Sequence, residues 1–440
     1  MRLFQALCLL TGDTTAVLAQ GLPPGAYTPP AANFTQKLNH GSNDGITFQQ
    51  LYQLDTSNFK PGGPILFHQG EEGPMKPIAS KVFSDYAPKL GGIVATLEHR
   101  FFGTSYPHGT SWDNTTTAQY SPLTLDNVLQ DSVAFVKWLK KTIPGAGSSK
   151  VIISGGSYGG FLATQARIRH PDKFYGALAL SPPLTSFGAS ATIEDNPYKF
   201  AVQDWMANVF WDANAEAALK IKNALSGLWD CIQASTCPTA MSEFDLCTPP
   251  TSSIDWLMLL QSVIMNQYRL MTQYNFGSDD TYPANPLALV VNATLKARTT
   301  GQVLRIKNDR TGTSWGYISC AWFVQSAVAT SPDNSLFPPF SINSSVTGCG
   351  QITEWAGYSY NQTNAEWVDN FNLTDKALDR VSRLLITHGS YDSTAAIGMP
   401  HLTSSSNRNH SCAILVTGMA HRENQSPEAV LPRGVRPQVD

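Results

Sequence analysis

The run Gly155-Gly156-Ser157-Tyr158-Gly159-Gly160 constrains this chain more than any other. It follows Lys150-Val151-Ile152-Ile153-Ser154, which reads as a buried strand, and precedes Phe161 to His170, a helix that Pro171 ends. A serine hydroxyl is a poor nucleophile unless a base removes its proton and its oxygen is held exposed. A sharp strand-to-helix turn provides that exposure, and small residues two positions to either side let strand and helix pack closely. Gly155 and Gly159 stand at those positions. A bare Gly-x-Ser-x-Gly arises by chance roughly 0.2 times in a chain of this size, so its strand and helix context makes Ser157 the candidate nucleophile.

The surrounding pattern predicts an α/β class. Pro64 to His68, Gly92 to Leu97 and Tyr175 to Ser181 read as short apolar strands. Leu125, Leu129, Val133, Val136 and Leu139 mark an amphipathic helix between them. Strand-helix alternation implies a parallel sheet covered on both faces. Pro182-Pro183 breaks the rhythm, and helical patterns follow in Asp204 to Leu228 and Ser253 to Tyr274. The strand pattern returns at Arg383 to Thr387 and at Cys412 to Val416. The expectation is an α/β-hydrolase fold with a mostly parallel sheet. Its domain is split over residues 20–183 and 369–440 by a helical cap over 184–368.

In that fold the chain order is nucleophile, acid, base, and the site gathers at the carboxyl ends of the strands. His421 follows the Cys412–Val416 segment by a short loop, and Asp392 follows Arg383–Thr387 in the same way. They are the expected base and acid. His388 and His401 rival His421, and Asp375 and Asp379 rival Asp392. The Tyr158 backbone N–H is one expected oxyanion donor. The second is expected from Gly70-Glu71-Glu72-Gly73, after the Pro64–His68 strand, with Glu71 as its residue.

Composition agrees with an exported globular protein. Of the 440 residues, 42% are apolar and 14% charged, which argues against disorder. The net charge of -3 gives no nucleic-acid footprint. Arg2, the apolar Leu3 to Leu10 and the small residues of Val17-Leu18-Ala19 read as a signal peptide over 1–19. Sequons at Asn33, Asn114, Asn292, Asn343, Asn361, Asn372, Asn409 and Asn424 agree with glycosylation. Six cysteines remain after Cys8, an even number that suits disulfides; the Cys231, Cys237, Cys247 spacing does not suit zinc. The chain should be secreted, or vacuolar or lysosomal. No metal, cofactor, nucleic acid or membrane is expected, and a homodimer is left open.

Several segments resemble the serine peptidase family of lysosomal prolyl carboxypeptidase and dipeptidyl peptidase II, and most of all its secreted fungal members. Thr47-Phe48-Gln49-Gln50 resembles the family's early strand and Gly70 to Gly73 its Gly-x-Glu-Gly loop. Glu98-His99-Arg100-Phe101-Phe102-Gly103 resembles its Glu-His-Arg-Tyr-Tyr-Gly segment. Gly155 to Gly160 matches its nucleophile elbow, while His388 to Asp392 and Gly418 to His421 resemble its acid and base segments. The resemblance covers residues 35–185 and 383–422. It implies cleavage of peptide substrates near proline at acidic pH, a triad of Ser157, Asp392 and His421, and a place for Glu72 near a substrate amine. It also implies a Cys320–Cys349 disulfide and leaves Cys231, Cys237, Cys247 and Cys412 without assigned partners.

Two departures bear on the proline preference and not on the triad. Asp392-Ser393-Thr394 stands where the family often has Asp-Pro-Trp, and Cys320-Ala321-Trp322 where it has Cys-Thr-Glu. The chain also ends at Asp440, soon after His421, where the family carries a further helix. These departures keep two other readings in play, an esterase or lipase on the same scaffold and a non-catalytic secreted glycoprotein.

Overall fold

The computed structural model describes residues 29–78, 82–185 except 112, 113 and 117, 198–234 except 214, 312–321, 330–339 and 380–398. It also describes residues 371, 373, 378, 411–417, 419 and 421. Among these residues one eight-stranded sheet carries the fold, in the order β1-β2-β4-β3-β5-β6-β7-β8. Its strands are β1 (Ala32–Lys37), β2 (Thr47–Asp55), β3 (Ile65–Gln69), β4 (Ile93–Leu97), β5 (Val151–Gly156), β6 (Gly176–Leu180), β7 (Leu384–Gly389) and β8 (Cys412–Val416). β2 is antiparallel to both its neighbours, and the strands from β4 to β8 along the sheet are mutually parallel. This is the α/β-hydrolase fold.

The central strands are short apolar runs because both faces of the sheet are covered. Every residue of β3, β4, β5 and β7 is buried. The peripheral β2 alternates in its first half, with Phe48 and Gln50 inward and Thr47 and Gln49 outward. The helix read from the leucine and valine spacing is α1 (Leu125–Thr142). Thr124 caps it, its hydroxyl accepting the Asn127 N–H at 3.1 Å, a bond of a kind that stabilises a helix by about 1 kcal/mol. Phe135 on α1 packs its ring against Phe34, Tyr52 and Phe67 from β1, β2 and β3. The helix after the elbow is α2 (Tyr158–Arg169), which starts earlier than the apolar pattern implied.

One buried ion pair pins the segment after β4. The Arg100 guanidinium donates to Asp131 on α1 from Nε at 2.7 Å and from Nη2 at 2.5 Å. Nη1 donates to the Leu38 and Pro122 carbonyls at 2.7 and 2.8 Å. Arg100 has no exposed surface, so these bonds replace the water it lost on folding. β1 was not read from the sequence, because its inward residue is polar. Gln36 is buried and donates to Gln50 on β2 at 3.0 Å and to the Asp131 carbonyl at 3.2 Å.

β6 pairs directly with β7, Ala177 opposite Leu384, so the chain leaves the sheet after Leu180 and returns at Leu384. Within that excursion lie α3 (Ala201–Ala213), α4 (Ala215–Ala234) and α5 (Gly312–Ala321). The single helical pattern read over Asp204 to Leu228 is therefore two helices. Trp205 on α3 donates to the Ser390 carbonyl at 3.1 Å. Ser314 on α5 donates to the Phe101 carbonyl at 2.7 Å and meets the Tyr106 and Tyr120 hydroxyls at 2.9 and 3.2 Å.

Residues 1–19, the Ser253–Tyr274 pattern and Cys349 fall outside the described residues, as does the Cys320 side chain. So do Asn292, Asn343, Asn361, Asn372, Asn409 and Asn424; Asn33 and Asn114 are exposed. Cys412 is disulfide-bonded. No helix among the described residues is long and apolar enough to cross a membrane.

Candidate active site

The turn between β5 and α2 holds Ser157 at φ 51° and ψ -124°. A side chain adopts that conformation only under strain, costing of order 1–3 kcal/mol, and such strain concentrates at functional positions. The surroundings hold it there. The Ser157 N–H donates to the Leu180 carbonyl at 2.8 Å, and its own carbonyl accepts from Phe161 at 3.0 Å. Gly155 has to be glycine, since a Cβ would collide with the Gly159 carbonyl where strand and helix cross. Those are the small-residue positions that singled out the elbow in the sequence.

The loop after β3 lies against the first turn of α2. A Cβ on Gly159 would meet Glu71 Cβ at 3.3 Å and the Gln69 carbonyl at 3.4 Å. The Glu71 side chain and the Gln69 carbonyl therefore lie against Gly159, in the first turn of α2 and near the positive end of its dipole. Glu98, at the end of β4, fastens this loop. Its carboxylate accepts from the Met75 N–H at 2.8 Å, the Thr104 N–H at 2.9 Å and the Ser105 hydroxyl at 2.6 Å. Lys76 stands 3.9 Å from Glu71.

Asp392 and His421 meet at the same edge of the sheet. His421 Nδ1 lies 2.9 Å from Asp392 Oδ2, and both side chains are almost wholly buried. An ionised carboxylate only accepts, so His421 Nδ1 carries the proton that lies between them. Burial alone would raise the Asp392 pKa. The charge of His421 and the hydrogen bonds from His388 and His421 outweigh burial and hold it well below the usual carboxylate range. Thr394 occupies the other oxygen, its N–H donating to Oδ1 at 2.9 Å and its hydroxyl at 2.6 Å. The second imidazole, His388 at the end of β7, stands with Nδ1 3.4 Å from Oδ2.

Under Tyr158 lies another buried histidine, His99. His99 Nδ1 sits 2.6 Å from the Arg100 carbonyl and so carries the proton; Nε2 accepts from the Tyr158 hydroxyl at 3.1 Å. Burial pushes the His99 pKa down to about 4. Burial, and then the charge of Glu72, push the Tyr158 phenol well above its ordinary value. Trp315 of α5 packs edge-on to the Tyr158 ring, 5.2 Å between centroids.

Of the expected site residues, Ser157, Tyr158, Glu71, Glu72, Asp392 and His421 all follow carboxyl ends of parallel strands: β3, β5, β7 and β8. His388 enters as a neighbour of Asp392 and does not displace His421, whose bond is 0.5 Å shorter. His401, Asp375 and Asp379 lie outside the described residues. The roles of Thr394, His99 and Trp205 were not read from the sequence. Asp-x-Thr is a local turn signal that could have flagged Thr394; nothing local marks the other two.

The family model described as serine carboxypeptidase S28 matches residues 36–311. The human lysosomal Pro-X carboxypeptidase is 38% identical over 172 residues, covering 38% of this chain and 34% of that protein. Prolyl carboxy peptidase like protein 5 of Caenorhabditis elegans is 36% identical over 164 residues, 37% of this chain and 32% of that protein. The human thymus-specific serine protease is 33% identical over 172 residues, 38% of this chain and 33% of that protein. The alignments thus span about a third of each relative's length. Among solved structures, a probable hydrolytic enzyme of Pseudomonas aeruginosa PAO1 superposes with TM-score 0.41 and 12% identity, over 93% of this chain and 95% of that one. The fold assignment rests on the strand order itself.

Proposed function

Because this chain belongs to the serine carboxypeptidase S28 family, we propose that it is a serine exopeptidase cleaving peptides near proline, with Ser157, His421 and Asp392 as its triad. The observation that carries this reading is the Asp392–His421 pair, placed at the same sheet edge as a strained serine. His421 Nε2 takes the Ser157 proton as Oγ attacks the scissile carbonyl, then returns it to the leaving amine. Asp392 keeps the imidazole in the required tautomer and balances its charge. The Tyr158 and Glu71 N–H groups receive the oxyanion, an interaction that is worth about a hundredfold or more per donor. Water then attacks the acyl carbon and gives its proton to His421 Nε2, which passes it to Ser157 Oγ as the ester bond breaks and the acid product leaves.

The excursion between β6 and β7 is the cap of this enzyme, over 184–368, and covers the site. Glu72 beside Tyr158 lies where a substrate amine would be held. The names of the relatives, the disulfide at Cys412 and the exposed sequons at Asn33 and Asn114 support a secreted or lysosomal location.

The test is hydrolysis of short Pro-Xaa and Xaa-Pro peptides between pH 4 and 7, with mass readout and Ser157→Ala as the control. Cleavage by the wild type alone supports the reading. Equal cleavage by Ser157→Ala overturns it. A preference for acyl esters over matched peptides would assign the site to an esterase, and no reaction with a fluorophosphonate would make the chain non-catalytic.

A further inference from the structure

Asp392 is served by more donors than a triad needs. Thr394 fills Oδ1 twice, and two imidazoles converge on Oδ2, His421 at 2.9 Å and His388 at 3.4 Å. We propose that His388 is a positioning residue for Asp392, its Nδ1–H holding the carboxylate in the orientation that His421 requires. This rests on the triad reading above.

The argument is one of proton placement. The His388 side chain is completely buried, and burial disfavours its charged form. A neutral imidazole carries a single N–H. On one side Nδ1 faces an ionised carboxylate that can only accept; on the other, Nε2 has only the Pro182 backbone carbonyl, a neutral and weaker acceptor, and forms no hydrogen bond of good geometry. The proton therefore sits on Nδ1, where it offsets part of the cost of burying the Asp392 charge. The fold also makes room for this ring. A Cβ on Gly398 would collide with His388 Nε2, so the short helix Ala395–Gly398 crosses the imidazole at its one glycine. At 3.4 Å the bond is long, so its loss should cost far less than the loss of Asp392 or His421.

Two substitutions separate this role from simple packing. The Asn Nδ2 occupies nearly the place of the His Nδ1, so His388→Asn keeps the donor in a smaller side chain. His388→Leu keeps the bulk and removes the donor. On a proline peptide we expect His388→Leu to lose about tenfold in kcat at unchanged KM. Its rate of inactivation by a fluorophosphonate should fall in parallel, and His388→Asn should stay within about twofold of wild type. Wild-type kcat in His388→Leu, or equal losses in both variants, would overturn the proposal.

Should His388→Leu not fold, the nitrogen-15 shifts of the wild-type ring decide, with His388→Asn used for assignment. A proton on Nδ1 supports the proposal and one on Nε2 overturns it. If the wild type cleaves no peptide yet reacts with the fluorophosphonate, the peptidase reading fails while the inactivation rates still test His388.

Discussion

His421 Nδ1 lies 2.9 Å from Asp392 Oδ2, and each residue reaches that contact from the end of a different, adjacent strand. β7 and β8 pair in parallel from Leu385–Cys412 to Gly389–Val416, so their carboxyl ends are level. The loops leaving those ends are also tied together: the Tyr391 N–H donates to the Met419 carbonyl at 3.0 Å and Ser390 to Val416 at 2.9 Å. The candidate acid and base are thus held by backbone as well as by their own hydrogen bond.

Asp392→Asn should lower kcat by about 10⁴-fold with the fold retained, because an amide N–H facing Nδ1 favours the wrong imidazole tautomer. The same substitution should change the acid stability. Ionised Asp392 is favoured in the folded chain, whose carboxyl pKa lies well below the unfolded value of about 3.9. Its contribution is present above that value and is lost as pH falls further. Melting temperatures between pH 5 and 2 should therefore drop more steeply for wild type than for Asp392→Asn; parallel curves would refute the assignment.

Ser157 should trade stability for function. Glycine adopts φ near 51° without strain and alanine does not. Ser157→Gly should melt above Ser157→Ala by a few degrees, equivalent to about 1 kcal/mol, while both lose about 10⁴-fold or more in kcat. Calorimetry and peptide hydrolysis on the same preparations check both statements.

His99 should make the chain less stable as pH falls from 6.5 to about 4. Its folded pKa is about 4 against an ordinary 6.5, so the unfolded chain takes up a proton across that window and the folded chain does not. The stability it confers is present above 6.5 and is gone below about 4. Other buried histidines titrate too, so the measurement is the difference between wild type and His99→Gln. That difference should shrink across the window and level off below it.

Asp131→Ala should cost about 3–5 kcal/mol, since it strands the fully buried Arg100 guanidinium without its carboxylate. Urea unfolding should show the midpoint falling sharply with little change in slope. A loss under 1 kcal/mol would mean that the Leu38 and Pro122 carbonyls suffice on their own.

The legible features were those that repeat locally. Val151-Ile152-Ile153 before two glycines and a serine is readable because a central strand is buried on both faces and therefore uniformly apolar. α1 was readable from its apolar spacing. β1 was not, because its inward Gln36 is satisfied by Gln50 and by Asp131, far along the chain. The split between α3 and α4 left no apolar discontinuity to read. Thr394, His99 and Trp205 act through partners that no spacing rule relates to them.

By itself the sequence determined the fold class, the elbow and the order of the candidate acid and base, because strand burial, glycine turns and chain order are local properties. Only the tertiary structure decided which histidine faces Asp392. His388 and His421 both lie within reach, and the shorter contact belongs to the residue more distant in sequence. That choice follows from the pairing of β7 with β8, which sets the two loops side by side and is written in no single segment of the chain.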